Sequence, residues 1–276
     1  MNLMCNIGMP LVWIAFFVAT SQNSRGQVPK EPPKDTLSFL ESVSEYKISA
    51  EGSDKFELRV QPILLWTNPS RYDQSGAVFI WMHSGRPQAI GSCFNFENAG
   101  QPRTIHEFHS LADSSISAMF RDVAFWHPAQ PGLQFQLSQN PPQVADTHQR
   151  RLAQMRQISR EFSAEMVDPK GSVTVLRLLP TPLITYEPKT EQCTDGAIFS
   201  FAADGTDPDV LLVIENRTVN RKPGWYHALA RFHYNELNVS KGGQNIWKAE
   251  SKQEMSRNYR TSNLFRNETY ITFRIR

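Results

Sequence analysis

The chain has 276 residues, 29 Lys and Arg against 27 Asp and Glu, and a formal net charge of +2. That balance is too even for a protein that holds nucleic acid mainly through net charge, and 40% hydrophobic content is too high for a chain disordered throughout. Three cysteines are too few for a disulfide-dense scaffold.

The first predicted element is a targeting segment. Residues 11–19 (LVWIAFFVA) form an uninterrupted apolar run, long enough for a signal-peptide core and too short to span a bilayer. Small and polar residues follow, and cleavage after Gly26 gives a signal peptide over 1–26. Cys5 precedes the apolar run and leaves with it. No later stretch approaches the ~20 apolar residues of a transmembrane helix, so the expected mature protein is exported, periplasmic or extracellular, with no membrane span. Residues 27–35 (QVPKEPPKD) read as an extended linker, and 36–276 as one globular domain.

Asp35 or Thr36 can cap a short helix with Leu37, Leu40 and Val43 on its apolar face. From Phe56 the period changes to two, with Phe56, Leu58 and Val60 alternating with polar residues, which predicts a strand. Strands at 77–82 and 88–96 flank a turn at 83–87, and shorter ones follow at 104–109, 119–126 and 133–137. Over 144–166, Leu152, Met155, Ser159, Phe162 and Met166 fall at helical spacing, which predicts one long amphipathic helix. Further strands are expected at 173–179, 197–201, 209–215, 225–232 and 237–247. The alternation of Ile271, Phe273 and Ile275 predicts a last strand tied into a sheet.

The two strand-rich stretches, about 56–127 and 176–248, resemble each other at an offset of 120. Pro62, Ile63 and Trp66 fall on Pro182, Leu183 and Tyr186. Gly76-Ala77-Val78-Phe79 falls on Gly196-Ala197-Ile198-Phe199, and Ile90 falls on Val210. Trp126 and Trp247 lie one residue outside that offset. Gly76 and Gly196 read as points of positive φ or close backbone approach. The expected fold is therefore mainly β, an α+β arrangement of antiparallel sheets from two similar halves joined by the long helix.

The chain carries no Gly-x-Ser-x-Gly, Walker, Gly-x-Gly-x-x-Gly or His-Glu-x-x-His motif. His106 and His109 have metal-box spacing for a helix, but in a strand they point to opposite faces. Asp204, Asp207 and Asp209 surround a turn and are the weak candidates for a cation. The corresponding loop at 84–89 has no acid, so a shared turn with polar decoration explains both, and no metal or cofactor is expected. Cys93 and Cys193 become an oxidisable pair on export and are a disulfide candidate. Trp66, Trp81, Trp126, Trp225 and Trp247 either pack the core or offer faces for sugar rings.

Residues 62–69 (PILLWTNP), 76–81 (GAVFIW), 107–111 (EFHSL), 150–155 (RRLAQM), 195–199 (DGAIF) and 225–231 (WYHALAR) resemble uncharacterised exported proteins of planctomycete bacteria. The resemblance covers most of 56–248. It implies a bacterial envelope or secreted setting, in which the Asn-x-Ser/Thr sequons at Asn216, Asn238 and Asn267 are idle, and it carries no activity or site residue. The expected function is a non-catalytic envelope module with a saccharide or protein partner. An exported hydrolase with a dispersed active site is the alternative.

Overall fold

The computed structural model describes residues 36–50, 55–68, 70–71, 74–98, 101–188, 190, 192–252 and 267–275. The expected signal peptide and linker lie outside them. Helix α1 (Thr36–Ser44) leads into β1 (Tyr46–Ala50), β2 (Glu57–Leu58), β3 (Leu64–Asn68), β4 (Gln74–His83) and β5 (Arg86–Asn98). Then come β6 (Gln101–Ser110), β7 (Ile116–Phe120), β8 (Val123–Trp126) and the short β9 (Gln136–Leu137). Helix α2 (His148–Ser159) opens a second series with β10 (Phe162–Val167), β11 (Val173–Leu178), β12 (Ile184–Tyr186), β13 (Cys193–Ala202) and β14 (Val210–Val219). It ends with β15 (Lys222–Arg231), β16 (Glu236–Lys241), β17 (Gln244–Ala249) and β18 (Tyr270–Ile275).

Four local expectations are corrected, the first being the strand over 119–126, which is a hairpin turning at Arg121 and Asp122 with φ of 49° and 63°. The helix expected over 144–166 spans only His148–Ser159, capped by the Thr147 side chain on the Arg150 N–H. Phe162 and Met166 belong to β10, where Phe162, Ala164 and Met166 are buried and Ser163 and Glu165 are exposed. Residues four apart share a face in a helix and also in a strand, so this pair could not tell the two apart. The strand expected over 237–247 is a hairpin, because Gly242 and Gly243 take φ of 57° and 81°, a left-handed turn between Lys241 and Gln244. In α1 the buried pair is Phe39 and Val43, one turn apart, and Leu37 faces solvent.

The two halves repeat at the level of register. Trp66 pairs with Gly76 and Tyr186 with Gly196, and Leu58 pairs with Trp81 as Leu178 pairs with Phe201, all at an offset of 120. Beyond the central hairpin the offset becomes 121. Ile90 pairs with His109 and Leu211 with Ala230, so Leu211, not Val210, is the counterpart of Ile90. The hairpin between Phe201 and Val210 is one residue longer than that between Trp81 and Ala89. Trp126 faces Ala118 beside a bulge, and Trp247 faces Val239 beside a bulge, in matching places. Tyr46–Phe120 and Phe162–Lys241 are also matching pairs, so α2 and β10 open the second half just as α1 and β1 open the first.

Each half has the same strand order. In the second it runs β17-β16-β10-β11-β13-β14-β15-β9, one continuous sheet. In the first it is split between β1 and β2, which among the described residues meet at the Ser49–Lys55 bridge. The last strand of each half is exchanged. β9 follows β8 in the chain but pairs with β15, and β18 follows β17 but pairs with β6.

Alternation along the central strands explains the layers. Ala77, Phe79 and Trp81 of β4 pack with Phe39 and Val43 of α1. Ala197, Phe199 and Phe201 of β13 pack with Met155 and Ile158 of α2 and with Phe162 and Val239, so the second sheet curls round its helix. The opposite faces, Val78, Ile80 and Ile90 on one side and Ile198, Leu211 and Val213 on the other, share a third core between the sheets. Gly76 and Gly196 are points of close approach: a Cβ there would lie 2.6 Å from the Trp66 ring and 2.4 Å from the Tyr186 ring.

Candidate functional site

Because the halves match residue for residue, the places where they differ in filling identify candidate sites. His106 on β6 and His227 on β15 are counterparts at the offset of 121. Their surroundings differ.

His106 is sealed. Its Nε2 lies 3.0 Å from Ser42 Oγ and 3.0 Å from Cys93 Sγ, and its Nδ1 lies 2.6 Å from Tyr46 Oη. Phe108, Phe120, Phe125 and Phe273 complete the surrounding aromatic cluster, which also holds Tyr46. Burial pushes His106 down to about 3 and pushes the Cys93 thiol above its usual range. Cysteine and histidine thus meet at hydrogen-bond distance, but both are neutral and fully buried, and the thiolate a nucleophile needs is disfavoured.

His227 opens on a groove. Register places Leu229 where the first half has Phe108, Ile246 where it has Phe125, and Lys241 where it has Phe120. Gln136 pairs with His227 as Phe273 pairs with His106. Four phenylalanines are thereby replaced by smaller or polar side chains. Two adjoining cavities result, of about 350 and 580 Å3, that share Gln136, His227 and Ile246. Trp247 lines the first, half-buried, while Trp66, Trp81, Trp126 and Trp225 are fully buried.

The lining is rich in amides: Gln130, Gln134, Gln136, Gln139, Asn140 and Gln244. Each amide both donates and accepts. His227 Nδ1 lies 3.2 Å from Ser138 Oγ, its ring meets Phe162 edge-on, and burial holds it down at about 4. Charge at the groove is largely paired within the protein. Lys241 meets Glu161 at 3.2 Å and Lys252 meets Glu268 at 3.4 Å. Arg231 donates to the carbonyls of His233, Asn235 and Glu250 and lies over the Tyr270 ring. The groove is suited to a neutral polar ligand.

Of the residues singled out by sequence, Trp247 and His109 line the groove, and the acids, the cysteines and His106 fall elsewhere. Arg71 Nη1 lies 3.4 Å from Asp207 and 3.2 Å from Asp209, while Asp204 accepts from Ser70, so a guanidinium occupies the position considered for a cation. Cys93 and Cys193 are free and buried, not a disulfide. Cys93 packs in the core under α1, and Cys193 begins β13 beside Thr190, so the two thiols lie in different sheets. His106 and His109 point to opposite faces, His109 Nδ1 lying 2.7 Å from the Ser110 carbonyl. Asp113 meets Arg217 at 2.9 Å.

Sequence spacing missed a cluster of His148, Glu187 and Asp195, whose ligand atoms lie within 4.8 Å of one another. Arg151 Nε sits 2.6 Å from Asp195 Oδ2 and supplies that carboxylate with its cation. It also missed Gln136, Leu229 and Ile246, although pairing Phe125 with Ile246 at offset 121 carries the signal. No protein-family model, curated protein or solved structure matches this chain.

Proposed function

We propose that the chain is an exported binding module whose groove beside His227 takes a neutral, hydroxyl-rich ligand, a saccharide. The observation that carries this is the replacement of the four-phenylalanine plug of the first half by Leu229, Ile246, Lys241 and Gln136 in the second. Amide side chains pair with hydroxyls as donor and acceptor together, and a half-buried indole offers a flat apolar face to a sugar ring. Export rests on the apolar run at 11–19 and on the resemblance to exported planctomycete proteins. Among the described residues no helix is long and apolar enough to cross a membrane.

The test is titration with a panel of oligosaccharides, followed by calorimetry and tryptophan emission. A binding saccharide is expected to shield Trp247 from iodide. Trp247→Ala and Gln136→Ala are expected to weaken binding about tenfold or more, the size of one lost stacking or hydrogen-bonding group in a partly dry site. A panel with no binder, or a binder indifferent to both variants, overturns the reading. The hydrolase alternative is supported by Ser138 Oγ lying 3.2 Å from His227 Nδ1. Cleavage of the bound saccharide that is lost in both Ser138→Ala and His227→Ala would replace binding by hydrolysis.

A further inference from the structure

A second cavity, of about 260 Å3, lies at the other sheet, against β6 and β18. Phe94, Phe96, Phe232 and Tyr234 give it aromatic walls, and Arg71 and Arg274 add two guanidiniums. The matching region across the pseudo-symmetry is filled by the protein itself. Phe94 pairs with Gly76 as Glu215 pairs with Gly196, and Phe96 pairs with Arg103 as Arg217 pairs with Gly224. Glu215 is held there by Arg86 at 2.8 Å and by Arg217 at 2.7 Å. The ring of Phe135 lies against both cations, its centre 4.1 Å from the guanidinium carbon of Arg217 and 5.7 Å from that of Arg86. Phe135 stands one residue before Gln136, as Thr272 stands one before Phe273. One half therefore sets an aromatic ring against two ion-paired guanidiniums. The other has two guanidiniums, aromatic walls and a threonine in the place of the ring.

The ionisable groups of this lining are already engaged within the protein. Asp207 lies 3.4 Å from Arg71, which also meets Asp209 at 3.2 Å. The Tyr270 hydroxyl donates to Glu107. Arg274 has a partner of its own. His233 accepts the Asn235 N–H at Nδ1, 3.0 Å away, and burial holds its ring neutral. An ion of either sign would leave water without a waiting counter-charge, which is costly. A neutral ligand avoids that cost.

We propose that this cavity binds an uncharged aromatic compound of about two fused rings, one of them taking the place that Phe135 fills in the matching region. The complementarity is electrostatic as well as apolar. A ring presents its electron-rich face to a guanidinium even when that cation is ion-paired, as Phe135 does to Arg217, and the phenylalanine walls cover the remaining apolar surface. A cavity of about 150 Å3 holds one benzene. This one, of about 260 Å3, has room for a second ring.

The experiment is calorimetric titration of the full chain at neutral pH with 2-naphthol, with 2-decalol as its saturated analogue, and with 2-naphthoate. 2-Naphthol is expected to bind, and 2-decalol to bind about fivefold or more weakly, the size of a ring–cation contact in a partly dry site. 2-Naphthoate is expected to bind more weakly than 2-naphthol. Methyl-labelled isoleucine locates the site by nuclear Overhauser effects. The bound ring should reach the methyl groups of Ile105, which lines this cavity, and not those of Ile246, which lines the groove beside His227. That contact is read on the unaltered chain and stands whether or not a variant folds. Thr272→Phe, which copies Phe135, should abolish binding in a chain whose circular dichroism and melting are retained. No binding of 2-naphthol, contacts at Ile246 in place of Ile105, or binding untouched by a folded Thr272→Phe overturns the proposal. Equal binding of 2-decalol also overturns it, because apolar burial alone would then suffice. Tighter binding of 2-naphthoate does so as well, because a carboxylate would then dominate recognition.

Discussion

Replacing Gly196 by alanine tests the close approach that the repeat places on both central strands. An added Cβ would lie 2.4 Å from the Tyr186 ring, far inside contact distance. The ring cannot swing away freely, because its hydroxyl donates to Glu215 at 2.8 Å and Glu215 is clamped by Arg86 and Arg217. Overpacking costs about 1–3 kcal/mol, and loss of a hydrogen bond to a charged acceptor costs about 1.5–3 kcal/mol. Reduced freedom of the unfolded chain returns about 0.4–1 kcal/mol. The net expectation is a loss of about 2–5 kcal/mol, read as a lower urea midpoint at unchanged slope. At Gly76 an added Cβ would meet both the Trp66 ring and Phe94 Cβ at 2.6 Å; Trp66 is held by a neutral bond of its Nε1 to Ser92 Oγ at 3.2 Å, so less hydrogen bonding is at stake and Gly76→Ala should cost about 1–3.5 kcal/mol. The control is a double-mutant cycle with Tyr186→Leu. If Gly196→Ala costs as much without the ring as with it, the ring is not the cause and the reasoning fails.

Phe79→Ala and Phe199→Ala, counterparts buried in separate outer cores, should each cost about 3–5 kcal/mol by thermal or urea unfolding; a loss below 1 kcal/mol at either would refute its place in the core. Cys93 and Cys193, with burial pushing the Cys193 thiol up to about 12, should resist an aromatic disulfide reagent until denaturant is added, whereas fast labelling of native protein would contradict their burial. Asp207, raised by burial to about 8 from about 3.8, binds a proton in the native state that the unfolded chain has released, so it lowers stability as pH rises through that interval. His106, His109 and His227, held down by burial at about 3, 4 and 4, act oppositely and only below about pH 6.5. Between pH 6.5 and 8 stability should therefore fall as pH rises, and Asp207→Asn should flatten the profile.

The antiparallel β character and the duplication were legible because strands with one face on each of two cores alternate strongly, and because Gly-Ala-(Val/Ile)-Phe recurs where an aromatic residue must lie over a glycine. What escaped was set by one inserted residue. The longer turn before Val210 moves the offset from 120 to 121, which hid the equivalence of His106 with His227 and of Phe125 with Ile246. Without that equivalence, neither the plug nor its loss in the second half can be read. The ends of α2 were misplaced because Phe162 and Met166 satisfy helical and strand periods alike. The exchange of β9 and β18 leaves no trace in local periodicity, since a strand's pattern records that one face is covered and not by which sheet.

The exchange of end strands also orders events in time. The edge of β6 is completed only by β18, so Phe273 reaches His106 across most of the chain. As the chain emerges from the ribosome, the first sheet is assembled with an unpaired edge, while its own last strand, β9, waits for β15 to be made. Neither half is a finished object until the other exists. Such long-range pairing folds slowly, because the entropy of closing the loop comes before the contacts that repay it. An unsatisfied sheet edge is at the same time a template for any strand that passes. The architecture therefore links the arrival of β18 to the closing of the first sheet, and makes cutting the chain between its halves a loss to both.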